Sequence, residues 1–159
     1  MTLTKISRSA GYKIEFIRTY DTFLECFVEN DSGETVKMDF AHDTPYRSKP
    51  TVQHAPYTMS IDNLLDIACN KLSALFDRAE PKDFVDVYFV CRDFMSLAEL
   101  IESTRQKHVG IDNYWLAQAF ERVRQVNFLP RMIKPLELEV LRSFFLEEAS
   151  RLIDNIDPA

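Results

Sequence analysis

The sequence predicts an α+β domain in which a small, mostly antiparallel sheet is followed by a bundle of about five helices. Two patterns predict it. Apolar and polar residues alternate through much of the first third of the chain, which is typical of strands. Further along, apolar residues recur at steps of three and four, which is typical of amphipathic helices. We therefore expect a single domain over residues 1–159, with strands and a loop in 1–58 and helices in 59–159.

The composition is that of one globular domain. Hydrophobic residues make up 46% of the 159 residues and charged residues 28%, which is enough to form one core. A net charge of −6 argues against a broad basic surface for nucleic-acid phosphates. The N-terminus lacks the apolar run of a signal peptide, and no stretch approaches membrane-spanning length, so we expect a cytoplasmic protein without membrane contact. Three widely spaced cysteines are expected to be reduced core residues: Cys26, Cys69 and Cys91.

Three strands are expected between Tyr12 and Ala41. The segment Asn30-Asp31-Ser32-Gly33 has the composition of a turn, which favours an antiparallel hairpin between the second and third strands. In the third strand Lys37 and Asp39 fall on the face opposite the apolar residues. Asp39 is therefore expected on the more polar side of the sheet. The alternating apolar residues are Tyr12, Ile14 and Phe16, then Leu24, Cys26 and Val28, then Val36, Met38 and Phe40.

A proline-rich loop over residues 41–57 is expected to border the functional site. The first long helix should begin at a cap formed by Ser60 and Asp62. Lys71 interrupts its apolar stripe, and Arg78 lies one heptad later in the same row, so both side-chain stems should lie on the inward side of the helix. The apolar stripe consists of Ile61, Leu64, Leu65, Ala68, Leu72, Leu75 and Phe76.

Pro81 should end this helix and open a second one. Asp83 and Asp86 lie in the first turns of the second helix. Cations on one helix and acids on the next therefore have the spacing to face a shared site. A purely structural interpretation competes with this one, because cationic heads often extend to solvent from buried stems and acids in a first turn complement the helix dipole.

The rest of the chain has the pattern of core-forming helices. Ser96 to Glu99 has the form of a capping box, Gly110 can end that helix, and Asp112 can cap the next. A last helix should begin near Pro135. The apolar residues at core spacing are expected to point inward. They are Trp115, Ala119, Phe120 and Val123, followed in the last helix by Leu138, Leu141, Phe144, Phe145, Ala149 and Leu152.

A family resemblance sharpens the interpretation of the two helices. The stretch D-I-A-C-N-K-L-S-A-L-F-D-R-A-E-P-K-D-F-V-D-V-Y, Asp66 to Tyr88, resembles the helix pair of the AbiEii/AbiGii nucleotidyltransferase toxin family, where K-L-x-A-L-x-x-R leads into R-D-F-x-D-x-Y. The upstream V-K-M-D-F-A-H-D-T-P-Y-R, Val36 to Arg47, is similar to the family's strand that ends in an acid and to the loop after it. Lys82 is a departure, since the family usually has arginine there and lysine lacks the bidentate fork.

The resemblance implies an activity and its partners. The family transfers a nucleotide from a nucleoside triphosphate to an acceptor, commonly tRNA, and uses Mg²⁺. It belongs to bacterial type IV toxin–antitoxin and abortive-infection systems, which implies an antitoxin partner. By resemblance, Asp39 would be the third metal-side carboxylate or the base, Lys71 would reach the nucleotide phosphates, and Arg78 with Lys82 would supply further positive charge there.

The resemblance also implies roles for two acids and exposes an absence. Asp83 and Asp86 would position Lys71 or the acceptor. The family's R-x-[ST]-x-D-[IVL]-D signature, which carries the first two metal ligands, does not occur in the sequence. We therefore expect either the C-terminal part of a longer protein or a shortened relative without transfer activity. A non-catalytic interaction module is the competing function, and a structural domain in which Lys71, Asp83 and Asp86 only tie two helices together is a third.

Overall fold

The computed structural model describes residues 3–42, 45–55 and 59–156, and it confirms the predicted α+β class. The chain divides into two compact units, Met1–Pro45 and Tyr46–Ala159. The first unit carries a sheet, and the second carries most of the helices. The single-domain organisation expected for residues 1–159 stays a prediction.

In its described residues, the first unit, here called the sheet unit, has one helix and three antiparallel strands in the order β1-β2-β3. All three predicted strands are present, and β1 carries a bulge between Phe16 and Arg18. Such a bulge locally increases strand twist. The elements are α1 (Leu3–Ser9), β1 (Lys13–Thr19), β2 (Phe23–Glu29) and β3 (Thr35–Ala41).

The predicted turn closes the β2–β3 hairpin. The side chain of Asn30 accepts hydrogen bonds from the backbone amides of Ser32 and Glu34, at 3.0 and 2.9 Å. Gly33 has φ +79°, a left-handed conformation that favours glycine. Local turn chemistry therefore sets the register in which Cys26 of β2 faces Met38 of β3.

The apolar face of the sheet is largely uncovered within this unit. Every residue of β3 is exposed, and Val36 keeps 61% of its surface accessible. Among the apolar strand residues of the sheet unit, only Cys26 is fully buried. A cleft of about 750 Å³ lies between α1 and the strands and is lined mainly by apolar side chains, among them Ile6, Ile14, Val28 and Met38.

The described part of the second unit, here called the helical unit, contains a short hairpin followed by five helices. The hairpin strand β4 (Val52–His54) lies within the segment expected to be a loop. The other elements are β5 (Met59–Ile61), α2 (Leu64–Arg78), α3 (Pro81–Asp93), α4 (Leu97–Lys107), α5 (Asn113–Glu121), a 3₁₀ turn (Arg122–Gln125) and α6 (Leu138–Asp154). No helix in the described part of the chain is both long and apolar enough to cross a membrane.

Two predicted helix starts were wrong. Ser60 belongs to β5, and α2 begins at Leu64 with Asn63 as its cap, whose side chain accepts from the amide of Asp66 at 3.0 Å. The residues around Ser60 pair with β4 as a strand. The predicted helical stripe therefore began too far upstream. The last helix begins at Leu138 and not near Pro135. The predicted start at Pro81 and the capping box from Ser96 to Glu99 are confirmed.

The core of the helical unit forms around α2, which contacts α3, α4 and α5. The ring of Phe145 meets those of Phe84 and Phe120 edge-on, with centroids 5.0 and 5.1 Å apart, and all three are fully buried. The predicted burial of Trp115 was wrong, since 61% of it is exposed. Helix α5 buries its neighbour Leu116 instead, and the predicted burial of Ala119, Phe120 and Val123 is confirmed.

Candidate functional site

A tight turn between α2 and α3 brings the predicted cations and acids together. Ala79 ends α2 in a left-handed conformation with φ 50°, which is uncommon for a residue other than glycine. Glu80 precedes Pro81, which opens α3 and has a φ suited to the first helical turn. The chain therefore reverses within a few residues, and α3 packs back along α2.

Lys71 and Asp86 form an ion pair across this helix pair. The Nζ of Lys71 lies 2.7 Å from Oδ2 of Asp86, and the two side chains are 42% and 39% exposed. Both side chains are therefore half-buried, and each keeps about two fifths of its surface in contact with water. An ammonium group in this position is held by one carboxylate and stays accessible to an anion.

Arg78 and Asp83 form a second, more buried pair. Both nitrogens of the fork, Nε and Nη2, lie 2.8 Å from the two oxygens of Asp83, whose side chain is fully buried. Burial alone raises the pKa of Asp83, but the guanidinium of Arg78 and the amide of Glu80 hold that pKa below its usual range. Asp83 therefore stays ionised and fixes Arg78, whose own head remains half-exposed.

Lys82 lies at the rim of this arrangement. Its Nζ is 3.1 Å from Oε2 of Glu80, and its side chain is 56% exposed. A pair this open to water contributes little stability. The structure therefore brings Lys71, Arg78, Lys82, Asp83 and Asp86 to one helix pair, here called the α2–α3 charge cluster.

Asp39 lies in the other unit, on β3. It occupies the polar face of the sheet as expected, and its side chain is 50% exposed. The nearest cation is Lys37, with Nζ at 3.6 Å from Oδ2 of Asp39. The structure thus leaves Asp39 as an accessible carboxylate in the sheet unit.

The sequence interpretation missed Glu25, the register partner of Asp39. The Glu25 side chain is only 7% exposed and pairs with both Lys37, at 2.8 Å, and Arg18. Hydrogen bonds from Lys37 and then Arg18 lower its pKa. The alternation Leu24, Glu25, Cys26 was the available signal, because it places Glu25 on the same face as Asp39 once the hairpin is assumed.

A buried ion pair in the helical unit was also missed. Asp66 and Lys107 are 3.2 Å apart with both side chains fully buried. Burial raises the pKa of Asp66, but hydrogen bonds from the Ser48 amide, Asn63 and Lys107 outweigh it and hold that pKa well below its usual range. Because 41 residues separate the partners, no local pattern could have paired them. The pair ties the segment after residue 45 to α2 and α4.

A divalent cation does not fit the described residues. Among them no three His, Cys, Asp or Glu side chains cluster in a way that could hold a metal ion. Asp39 is one carboxylate, and its neighbour Glu25 is already neutralised by two cations. A Mg²⁺ ion needs several oxygen ligands, so the Mg²⁺ expected from the resemblance lacks a ligand set in these parts of the chain.

The cysteines provide no alternative ligands. All three are free thiols. Burial, with a smaller effect of Glu148, raises the pKa of Cys91 to about 12, and burial likewise raises the pKa of Cys69. Neutral thiols of this kind are poor metal ligands.

Comparison with known proteins identifies the family. The sequence profile described as nucleotidyl transferase AbiEii toxin, type IV TA system, matches residues 2–154. The chain belongs to the AbiEii nucleotidyltransferase toxin family. This AbiEii match contains both the sheet unit and the α2–α3 charge cluster. No curated protein sequence matches the chain.

Two solved structures share the fold of this AbiEii family member. JHP933 from Helicobacter pylori superposes with a TM-score of 0.54 at 20% identity, over 97% of this chain and 71% of that one. A candidate nucleotidyltransferase from H. pylori gives a TM-score of 0.53 at 17% identity, over 89% of this chain and 65% of that one. The chain therefore spans about two thirds of the length of these structural relatives.

Proposed function

We propose that this chain supplies the triphosphate-binding side of a nucleotidyltransferase site, centred on the α2–α3 charge cluster. In nucleotidyl transfer, an acceptor hydroxyl oxygen bonds to the α-phosphorus of a nucleoside triphosphate, and the bond from that phosphorus to the oxygen it shares with the β-phosphate breaks. Pyrophosphate leaves, and a carboxylate base or water takes the hydroxyl proton. Positioning and charge stabilisation dominate such reactions. Family membership supports this chemistry, and the donor would be a nucleoside triphosphate.

The observation that carries the proposal is the half-exposed Lys71–Asp86 pair, with Nζ and Oδ2 2.7 Å apart. Lys71 would bind the triphosphate, because a flexible ammonium group is a suitable point charge for phosphate. Asp86 would orient Lys71 and would not touch the reacting atoms. Arg78, fixed by buried Asp83, and Lys82 would add positive charge around the same phosphates.

Asp39 has a separate role in the proposal. As an accessible carboxylate of the sheet unit, it would serve on the metal side or as the base, as the family resemblance implies. The acceptor would be an RNA such as tRNA, in a bacterial cytoplasm where an antitoxin opposes the activity. Because Asp39 does not belong to any group of three possible metal ligands among the described residues, complete transfer would need further carboxylates.

Calorimetry with each ribonucleoside triphosphate, with and without MgCl₂, tests the proposal. Lys71→Ala should weaken triphosphate binding about tenfold or more, because a hydrogen bond to a charged group contributes about 1.5–3 kcal/mol. Lys134→Ala is the matched control, since Lys134 also pairs with an aspartate, Asp93, at 2.6 Å on the surface. The affinity of Lys134→Ala for the triphosphate should equal that of the unsubstituted chain.

Two outcomes would overturn the proposal. Equal affinity of Lys71→Ala and the unsubstituted chain would remove Lys71 from the site. No binding of any triphosphate would favour the competing function, a non-catalytic interaction module of a toxin–antitoxin or phage-defence system. The lack of any metal-binding group of three acidic, histidine or cysteine side chains among the described residues is the observation that favours that second function.

A further inference from the structure

A groove between α5 and the end of α2 combines an exposed aromatic ring with uncommitted polar groups. It has a volume of about 620 Å³ and is lined by six residues: Phe76, Asp77, Trp115, Gln118, Ala119 and Arg122. Four of them, at positions 115, 118, 119 and 122, follow the three- and four-residue spacing of one helical face. None belongs to the α2–α3 charge cluster.

The apolar part of the groove is suited to a flat ring. Trp115 is 61% exposed, although a large aromatic side chain on α5 would ordinarily be buried. Phe76 lies across the groove on α2, and the buried methyl group of Ala119 forms part of the wall. Among the described rings, Trp115 contacts only that of Tyr114, edge-on, with centroids 5.2 Å apart and planes at 76°.

The polar part supplies one cation and two groups that can bind the edge of a base. Arg122 donates one hydrogen bond to the carbonyl of Arg78 at 2.8 Å, and within the described part of the chain it forms no ion pair. The side chains of Asp77 and Gln118 form no hydrogen bond to another described residue. Their carboxylate and amide can pair with amino and carbonyl groups of a nucleobase.

We propose that this groove binds a nucleotide of a single-stranded RNA acceptor. The base would stack on Trp115, Asp77 and Gln118 would pair with its edge, and Arg122 would contact the adjoining phosphate. Aromatic stacking next to a cation is the usual recognition mode for unpaired bases. The net charge of −6 disfavours extended backbone binding, so we expect contact with one or two nucleotides. This inference rests on the proposed transferase function and specifies its acceptor.

Because the chain has a single tryptophan, fluorescence excited at wavelengths that tyrosine does not absorb reports on this groove without a contribution from the six tyrosines. Titration with short single-stranded oligoribonucleotides should quench that fluorescence saturably. Binding is then measured by anisotropy of labelled oligonucleotide with substituted chains. Trp115→Ala should weaken binding about tenfold, while Trp115→Phe should restore part of the affinity.

Arg122→Gln should weaken binding and reduce its salt dependence by about one phosphate contact. Arg124→Gln is the matched control, because Arg124 lies two residues away and is already paired with Glu121 at 2.5 Å. It should bind like the unsubstituted chain. Equal effects of the two substitutions, or unchanged binding by Trp115→Ala, would overturn the proposal.

Two further arms separate this inference from the proposed function. Free nucleoside triphosphate should not quench the fluorescence of Trp115. If it quenches as strongly as the oligonucleotide does, the groove belongs to the donor nucleotide and the acceptor role is overturned. Lys71→Ala should leave oligonucleotide binding unchanged. If the unsubstituted chain binds the oligonucleotide but no triphosphate, that result would count against the proposed donor site only.

Discussion

Phe40 in β3 and Phe145 in α6 are the same residue type in opposite surroundings. Phe40 is 39% exposed on the sheet, whereas Phe145 is fully buried among the rings of Phe84 and Phe120. The same contrast holds for the two units as wholes. The helical unit encloses a core and a buried ion pair, while the sheet unit leaves most of one apolar face open. Burial-based stability should therefore be concentrated in the helical unit.

The largest expected effect is from Phe145→Ala. Removing a fully buried ring loses its transfer free energy and leaves a cavity, so the free energy of unfolding should fall by about 3–5 kcal/mol. Urea denaturation followed by circular dichroism at the helical band measures it. Phe40→Ala is the matched control in the sheet unit and should cost clearly less, because 39% of that residue is already exposed to water. Similar losses for both would show that the two units are equally well packed in solution.

Asp66→Asn should have the next largest effect. It leaves the ammonium group of Lys107 buried without a counter-charge, so the unfolding free energy at pH 7 should fall by about 3 kcal/mol. Denaturation of both chains in urea at a series of pH values measures this loss and its pH dependence.

The pH dependence has a definite sign. Because the folded pKa of Asp66 is depressed, its stabilising contribution is complete above the unfolded value of about 3.9 and is lost as the pH falls toward the folded value. The unsubstituted chain should therefore lose stability steeply below about pH 4, and Asp66→Asn should lose less over the same interval. An unchanged acid slope in Asp66→Asn would show that other carboxylates, such as Asp83, govern acid unfolding.

The smallest effect is expected from Lys71→Met. The Lys71–Asp86 pair is about 40% exposed on both sides, and pairs of this kind contribute less than about 1 kcal/mol. Thermal unfolding should thus be nearly unchanged even though the proposed triphosphate site is lost. Arg78→Met gives the contrast, since it leaves buried Asp83 without its guanidinium partner and should cost about 2 kcal/mol. A large loss in Lys71→Met would favour a structural role for the pair.

The sequence predictions were correct where a feature depends on neighbouring residues and failed where it depends on contacts between more distant ones. The β2–β3 turn, the start of α3 at Pro81 and the cap at Ser96 were predicted correctly because each depends on residues within four positions. The predicted start of α2 was wrong because Ser60 pairs with β4 as part of strand β5. The burial of Trp115 was predicted wrongly because Trp115 and Leu116 both lie at helical spacing from buried Ala119, and spacing alone cannot decide between them.

By itself the sequence determined the family and the residues of the α2–α3 charge cluster, since both depend on residue identity and short spacing. The tertiary structure decided which charges meet. It buried Asp83 against Arg78, left the Lys71 ammonium group accessible, paired Asp66 with Lys107 across 41 residues, and exposed Trp115 in a groove. Burial and pairing between distant residues depend on how helices pack, and packing is a property of the whole core.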